Sequence, residues 1–177
     1  TYGATVKHQK VTGSRSGSGI CLAVGRGCTA TGANNPSDYL VKSSDFPDPT
    51  INTYSLFAQD EISWNDWTFM PGLRYDYTRL TPHITQEFMN TVAADDKDSV
   101  SNKKKVWHRL SPKFGLTYAL SDQYTWYGQY AEGFRTPSAK ALYGRFTNLG
   151  EGYSVEPNPN LEPEKSKSFE TGLRGNF

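Results

Sequence analysis

The side chains able to do chemistry are few in this 177-residue chain, and they do not converge. The three histidines, His8, His83 and His108, are far apart in sequence. No nucleophile–base pair, phosphate-binding glycine loop or zinc-ligand spacing accompanies them, so the chain carries no constellation of an enzyme. Asp95-Asp96-Lys97-Asp98 is acidic but lacks the glycine turn and terminal glutamate of a calcium loop. Lys103-Lys104-Lys105 reads as the solvated face of a loop that attracts anionic groups. Cys21 and Cys28 lie in a Gly/Ser-rich stretch with no histidine or carboxylate cluster beside them. They suit a short disulfide that clips a loop in an oxidising compartment better than a metal site. Eleven tyrosines remain. A phenol of pKa about 10 ionises near neutral pH only beside a metal ion or a cation. As a phenolate it is a hard oxygen donor suited to ferric iron.

The elements that must position these groups show themselves by period-two alternation. Trp67, Phe69, Pro71, Leu73, Tyr75 and Tyr77 oppose Thr68, Met70, Gly72, Arg74, Asp76 and Thr78. The preceding stretch behaves alike, with Tyr54, Leu56, Ala58, Ile62 and Trp64 against Ser55, Gln59, Glu61 and Ser63. Leu110, Pro112, Phe114, Leu116, Tyr118 and Leu120 oppose Arg109, Ser111, Lys113, Gly115 and Thr117. Tyr124, Trp126 and Tyr130 continue the pattern, as do Phe169, Thr171 and Leu173, and Tyr2, Ala4 and Val6 form the upper end of a sixth strand. Asn65-Asp66 and Ser121-Asp122-Gln123 are tight turns, whereas long polar segments (about 12–52, 81–105 and 136–165) separate the hairpins.

One apolar face, one polar face, and loops long at one end only describe an all-β, antiparallel transmembrane β-barrel. Short turns would then face the periplasm and long loops the exterior. Trp64, Trp67 and Tyr124 beside the short turns fit an aromatic girdle. No run of about 18 apolar residues exists, so a membrane-spanning helix is excluded. A net charge of +1 gives no reason to expect nucleic acid as a partner. Two features oppose the pattern. Asp60 falls on the lipid face, where a midplane charge costs about 2–4 kcal/mol for Arg or Lys and less for Asp. Pro71 and Pro112 each delete a ladder hydrogen bond, which predicts local bulges. Six strands do not enclose a lumen wide enough for such loops, and both ends look cut. The chain is therefore expected to be an arc of a longer protein.

Phe134-Arg135-Thr136-Pro137 ends the fifth strand, and Asn158-Pro159-Asn160-Leu161 follows downstream. This pair resembles the FRAP and NPNL boxes of TonB-dependent outer-membrane heme receptors, most closely those of the Phu type. The stretches Tyr54–Trp64, Pro71–Tyr77 and Lys165–Gly175 resemble strands of the wider TonB-dependent receptor family. The resemblance implies a barrel of about 22 strands around an N-terminal plug. It implies import of heme, taken free or from a hemoprotein, driven by TonB through regions outside this segment. Outer-membrane lipid would surround the wall.

Many heme receptors place a histidine ligand between these boxes, and Ser138–Pro157 contains none. Within this resemblance Tyr153, at a glycine-flanked tip, becomes the expected axial ligand of the heme iron, with Tyr143 as the alternative. Arg135 and Arg145 are candidates to pair with heme propionates, and His83 is a further candidate contact. A ferric-siderophore receptor of the same fold and a passive porin-like barrel are the competing expectations.

Overall fold

The structure, a computed structural model, describes residues 1–18, 40–92, 97–98, 100–148 and 153–175. Cys21, Cys28, Asp95 and Asp96 lie outside the described residues. The elements run β1 (Tyr2–Lys10), β2 (Arg15–Ser18), β3 (Leu40–Ser43), β4 (Asp48–Gln59), β5 (Ile62–Trp64) and β6 (Trp67–His83). They continue with α1 (Gln86–Met89), β7 (Lys105–Ala119), β8 (Tyr124–Arg135) and α2 (Ala139–Tyr143). β9 (Phe146–Asn148), β10 (Tyr153–Val155) and β11 (Glu164–Gly175) complete the chain. One antiparallel sheet has the order β1-β4-β6-β7-β8-β11, and β5 extends β4 along β6. Each strand thus lies beside its neighbour in sequence, the up-and-down order of a barrel wall. The pairs β2–β3 and β9–β10 are separate small hairpins within the long connections.

The register aligns the apolar sets of all strands. Val6 pairs with Tyr54, Tyr54 with Tyr77 and Tyr77 with His108; farther along, Phe114 pairs with Tyr130 and Tyr130 with Phe169. Large exposed apolar residues in this sheet, including Val6, Leu56, Leu73, Leu110, Phe169 and Leu173, therefore project from one face. An apolar face of this extent is far larger than a water-exposed surface tolerates, and lipid is its natural solvent. Aromatic rings mark both margins. Trp67 and Tyr118 form a tilted pair at 4.4 Å between centroids, and Tyr54 meets Tyr77 at 6.3 Å. Ten residues from Trp67 to Tyr77 span about 33 Å of strand. At a tilt of about 40–45° that is about 25 Å of height, the depth of an outer-membrane apolar band.

The opposite face is polar. Ser55 Oγ donates to Asp76 Oδ1 at 2.5 Å, the Arg74 Nε donates to the same carboxylate at 3.0 Å, and the Thr53 and Thr78 hydroxyls lie 3.2 Å apart. Cross-strand pairs of this kind stabilise a wet inner wall. Asn65 takes a left-handed φ of 52°, which suits the two-residue hairpin between β5 and β6 and which asparagine tolerates. At the other short turn, the Ser121 hydroxyl accepts the amides of Gln123 and Tyr124.

The expected bulge at Pro71 is absent, and the β6–β7 register is unbroken at Pro112. Pairing holds one register from Asp48–His83 through Gln59–Gly72 to Trp64–Trp67, and another from Leu80–Lys105 through Leu73–Pro112 to Trp67–Tyr118. Each proline instead costs a ladder contact on one side. Pro71 accepts the Asp60 amide at 3.0 Å but has no N–H to return, and the strand is interrupted at 60–61 between β4 and β5. Asp60 lies in this break, opposite Pro71, on the outward face. On β7 the Ala119 amide turns toward Asp66 on the β6 side, so the even-numbered Pro112 turns toward β8. The β7–β8 ladder ends at the next residue, Lys113. Above Pro112 the two strands are no longer paired. Alternation places Arg109 on the inner face and Glu132 on the outer. Their side chains meet across this seam at 2.5 Å.

The strands also run farther than the alternation predicted. β4 begins at Asp48, β6 ends at His83, β7 begins at Lys105 and β11 at Glu164. These ends lie within the segments expected to be loops. The Pro71→Ala variant gains an amide aimed at the Asp60 carbonyl. Hydrogen exchange of the folded barrel should show that amide protected, and rapid exchange at residue 71 would refute the register.

Candidate functional site

The FRTP sequence closes β8 and starts a compact turn. Pro137 cannot continue the ladder, and the Ser138 hydroxyl accepts the Ala141 amide at 3.1 Å, capping the short helix α2. Five residues are too few for helix stability by themselves, so packing must hold α2. Ala139, Leu142 and Tyr143 are buried with Leu80, and Phe46, Ile51, Trp107 and Leu161 pack around them. Leu80, Ile51 and Trp107 lie on the inner face of the sheet by register. The loop thus folds back over the inner wall.

Tyr143 belongs to this core. It is 3% exposed, and its hydroxyl donates to the Lys103 carbonyl at 2.8 Å. Burial raises its pKa above the usual 10.0, which disfavours the phenolate. The NPNL sequence returns the chain to β11 through a polar turn. Asn158 Oδ1 accepts the Asn160 amide at 3.1 Å, and Leu161 enters the same core. A cavity of about 210 Å³ lies between these parts, lined by Phe88, Val100, Leu142, Tyr143, Arg145 and Pro159 among others.

Two loop arginines occupy different settings. Arg135 is exposed and stands 3.7 Å from Glu164, a contact worth about 0–1 kcal/mol. Arg145 is largely buried beside the cavity, with Glu156 at 3.9 Å, and its amide donates to the Asp45 carbonyl. That bond links the loop to a hub the alternation did not reveal. The Ser44 amide donates to Glu87 of α1, and the Thr91 hydroxyl donates to the Ser44 carbonyl. The segment 44–49 thereby ties all three long connections together. Its only sequence signals were Thr85, which caps α1, and a cluster of prolines.

Tyr153 opens β10, and its backbone pairs with Asn148 of β9, so it begins the returning arm of a small hairpin. Its side chain lies outside the described part of the structure. The histidines are not gathered with it. Register puts His8, His83 and His108 on the outward face with Tyr54 and Tyr77. The His83 Nε2 meets the Thr50 hydroxyl at 3.1 Å. Among the described residues no group of three His, Cys, Asp or Glu forms a metal-binding cluster.

Over residues 2–177 the chain matches the family described as TonB dependent receptor-like, beta-barrel. This chain belongs to that family of TonB-dependent receptors. Its members are outer-membrane proteins of Gram-negative bacteria, and those similar to this chain are transporters and receptors rather than enzymes. The chain is 31% identical to the vitamin B12 transporter BtuB of Vibrio vulnificus, the match covering 68% of this chain and 22% of that protein. It is 25% identical to hemoglobin and hemoglobin-haptoglobin-binding protein A of Haemophilus influenzae, covering 68% and 14%. A solved structure, the hemophore receptor HasR of Serratia marcescens with its hemophore and heme, superposes with a TM-score of 0.54 at 21% identity. That superposition covers 73% of this chain and 22% of the receptor, and it supports the fold. The chain thus spans about a fifth of the length of these proteins or less.

The Tyr143→Phe variant removes one buried hydrogen bond and should loosen the loop core by about 1 kcal/mol. A raised phenol pKa stabilises the fold below pH 10 and loses that contribution as pH rises through the folded value. The native loop core should therefore weaken in alkali more than that of the phenylalanine variant, as read by proteolysis of the loops. Equal alkaline sensitivity would count against the buried neutral phenol.

Proposed function

We propose that this chain forms the ligand-recognising arc of an outer-membrane receptor that binds extracellular heme and imports it with TonB and the proton-motive force. In this reading the long-loop end faces the exterior. The observation that carries the reading is the FRTP box at the end of β8 and the NPNL box before β11, which bracket one loop whose core joins Ala139, just past the first box, to Leu161 of the second. Similarity to a hemoglobin-binding protein adds support. The finer likeness, to Phu-type receptors with a loop tyrosine as iron ligand, is part of the same proposal.

Tyr153 is the ligand in this proposal. Tyr143 is committed to the loop core, with its hydroxyl already donating to a carbonyl. His83 projects to the lipid-facing side, so it does not serve a ligand held inside the barrel. A cavity of about 210 Å³ is smaller than the roughly 300–1,000 Å³ of small-molecule sites. Heme must therefore sit against this loop rather than within it. Arg145, at the cavity's edge, is the better placed of the two arginines for a propionate, because a half-dry guanidinium holds a carboxylate more strongly than an exposed one.

Heme titrated into the full-length receptor should give a high-spin, tyrosinate-type spectrum. Tyr153→Ala should abolish that spectrum and weaken binding roughly tenfold or more, about 1.4 kcal/mol. Tyr143→Ala should leave the spectral type unchanged. A histidine-only spectrum, or one altered by Tyr143→Ala alone, would overturn the ligand assignment. The 31% identity to a vitamin B12 transporter favours a second reading, import of another bulky chelate such as a ferric siderophore. Growth on heme as sole iron source separates the two. A receptor deletion that spares heme use and abolishes use of one siderophore would establish the second.

A further inference from the structure

Charge on the inner face is unevenly spread. Across β1, β4, β6 and β7, the register turns Lys7, Arg74, Lys105, Arg109 and Lys113 inward with one acid, Asp76. On β8 and β11 the inward charges are matched instead. Arg135 stands beside Glu164, while Glu170 meets the Tyr127 hydroxyl and Arg174 lies over that ring. The surplus of cations therefore falls mostly on β6 and β7.

Its distribution follows the strands. Lys105, Arg109 and Lys113 stand four residues apart on β7, about 13 Å of strand per step. Lys105 opposes Leu80, which the boxed loop buries, so the uppermost step lies beside that loop. Arg109 is held by Glu132 across the seam. Farther down, Arg74 opposes Ser111 and is a diagonal neighbour of Lys113, about 7–8 Å away. Both cations are exposed and framed by small residues: Ser111, Gly72 opposite Lys113, and Gly115, against which the Met70 side chain lies. Arg74 is aimed in advance. Its Nε donates to both Asp76 oxygens at 3.0 Å, and Ser55 Oγ donates to the same carboxylate. Its terminal nitrogens and the Lys113 ammonium have no acceptor among the described residues.

We propose that β6 and β7 form a track down the inner wall for a carboxylate-bearing ligand, with Lys105 as its upper step and Arg74 with Lys113 as a clamp below. Guanidinium and ammonium donors match carboxylate oxygens, and low-dielectric walls concentrate the field of one-signed charge. Separate, solvated cations that each hold weakly suit passage better than storage. The inference rests on the import of heme proposed above, whose propionates are the groups handed from step to step.

The test uses the full-length receptor in cells, supplied at saturating concentration with heme or with its dimethyl ester, in which both propionates are neutral. Arg74→Gln with Lys113→Gln should slow heme import roughly tenfold and leave import of the ester unchanged. Lys113→Gln alone, which spares the Ser55–Asp76–Arg74 chain, should give roughly a threefold loss. Arg74→Lys with Lys113→Arg should restore most of the rate. Arg174→Gln, a charge loss on the inner face away from the track, should alter the import of neither ligand. Heme binding at the outer loop, read from its spectrum, should be the same in every variant. Unchanged heme import in the double variant would overturn the track and leave the heme reading standing. Equal slowing of heme and ester in both the double and the single variant would overturn it as well, by making these cations a structural contact of the barrel. An unaltered receptor that imports neither ligand would overturn both.

Discussion

A strict two-residue period in the backbone ladder is the constraint on which this wall depends. Because side chains alternate, a slip of one residue in any strand would exchange its lipid-facing and water-facing sets. The pairing avoids that slip over seventeen residues of β6, through Pro71 on its own strand and past Pro112 on its neighbour. Each proline sits between two neighbours, and the intact ladder on one side holds the register where the other side loses a bond at Pro71 or ends at Pro112. The apolar band, both aromatic margins and the inner Ser55–Asp76–Arg74 chain follow from that one condition.

The sequence made the membrane-embedded part legible for the same reason. Trp67 to Tyr77 alternates because lipid and water impose opposite demands on successive residues. Above the membrane that demand ceases, so the true ends of β4 at Asp48, β6 at His83 and β7 at Lys105 were read as loop. The bulges expected at Pro71 and Pro112 came from judging each strand alone, when neighbours on both sides decide its register. α1 and α2, of four and five residues, are too short to show a helical period, though the Pro137-Ser138 start of α2 was visible. The hub at Ser44 and Asp45 had no local signature because its partners, Glu87, Thr91 and Arg145, are remote in sequence.

The candidate site shows the same division. The boxes around the loop were recognisable from residue types, and so was the lack of histidine between them. What sets the role of Tyr143 is packing. A phenol at 3% exposure in a core with Leu80 and Leu142 serves the loop's shape. Likewise, only the register reveals that three scattered histidines share the outward face.

The seam above Pro112 changes how force passes through the wall. Below it, a row of backbone bonds joins β7 to β8 and resists sliding. Above it, the Arg109–Glu132 pair reaches across the gap. The hairpin of β8 and β11, with the boxed loop at its tip, is therefore joined to the wall in two ways: by backbone bonds at its base and by side chains near its top, where the loop core also rests on Leu80, Ile51 and Trp107. Load on the loop thus enters the rim through side chains and the waist through the backbone.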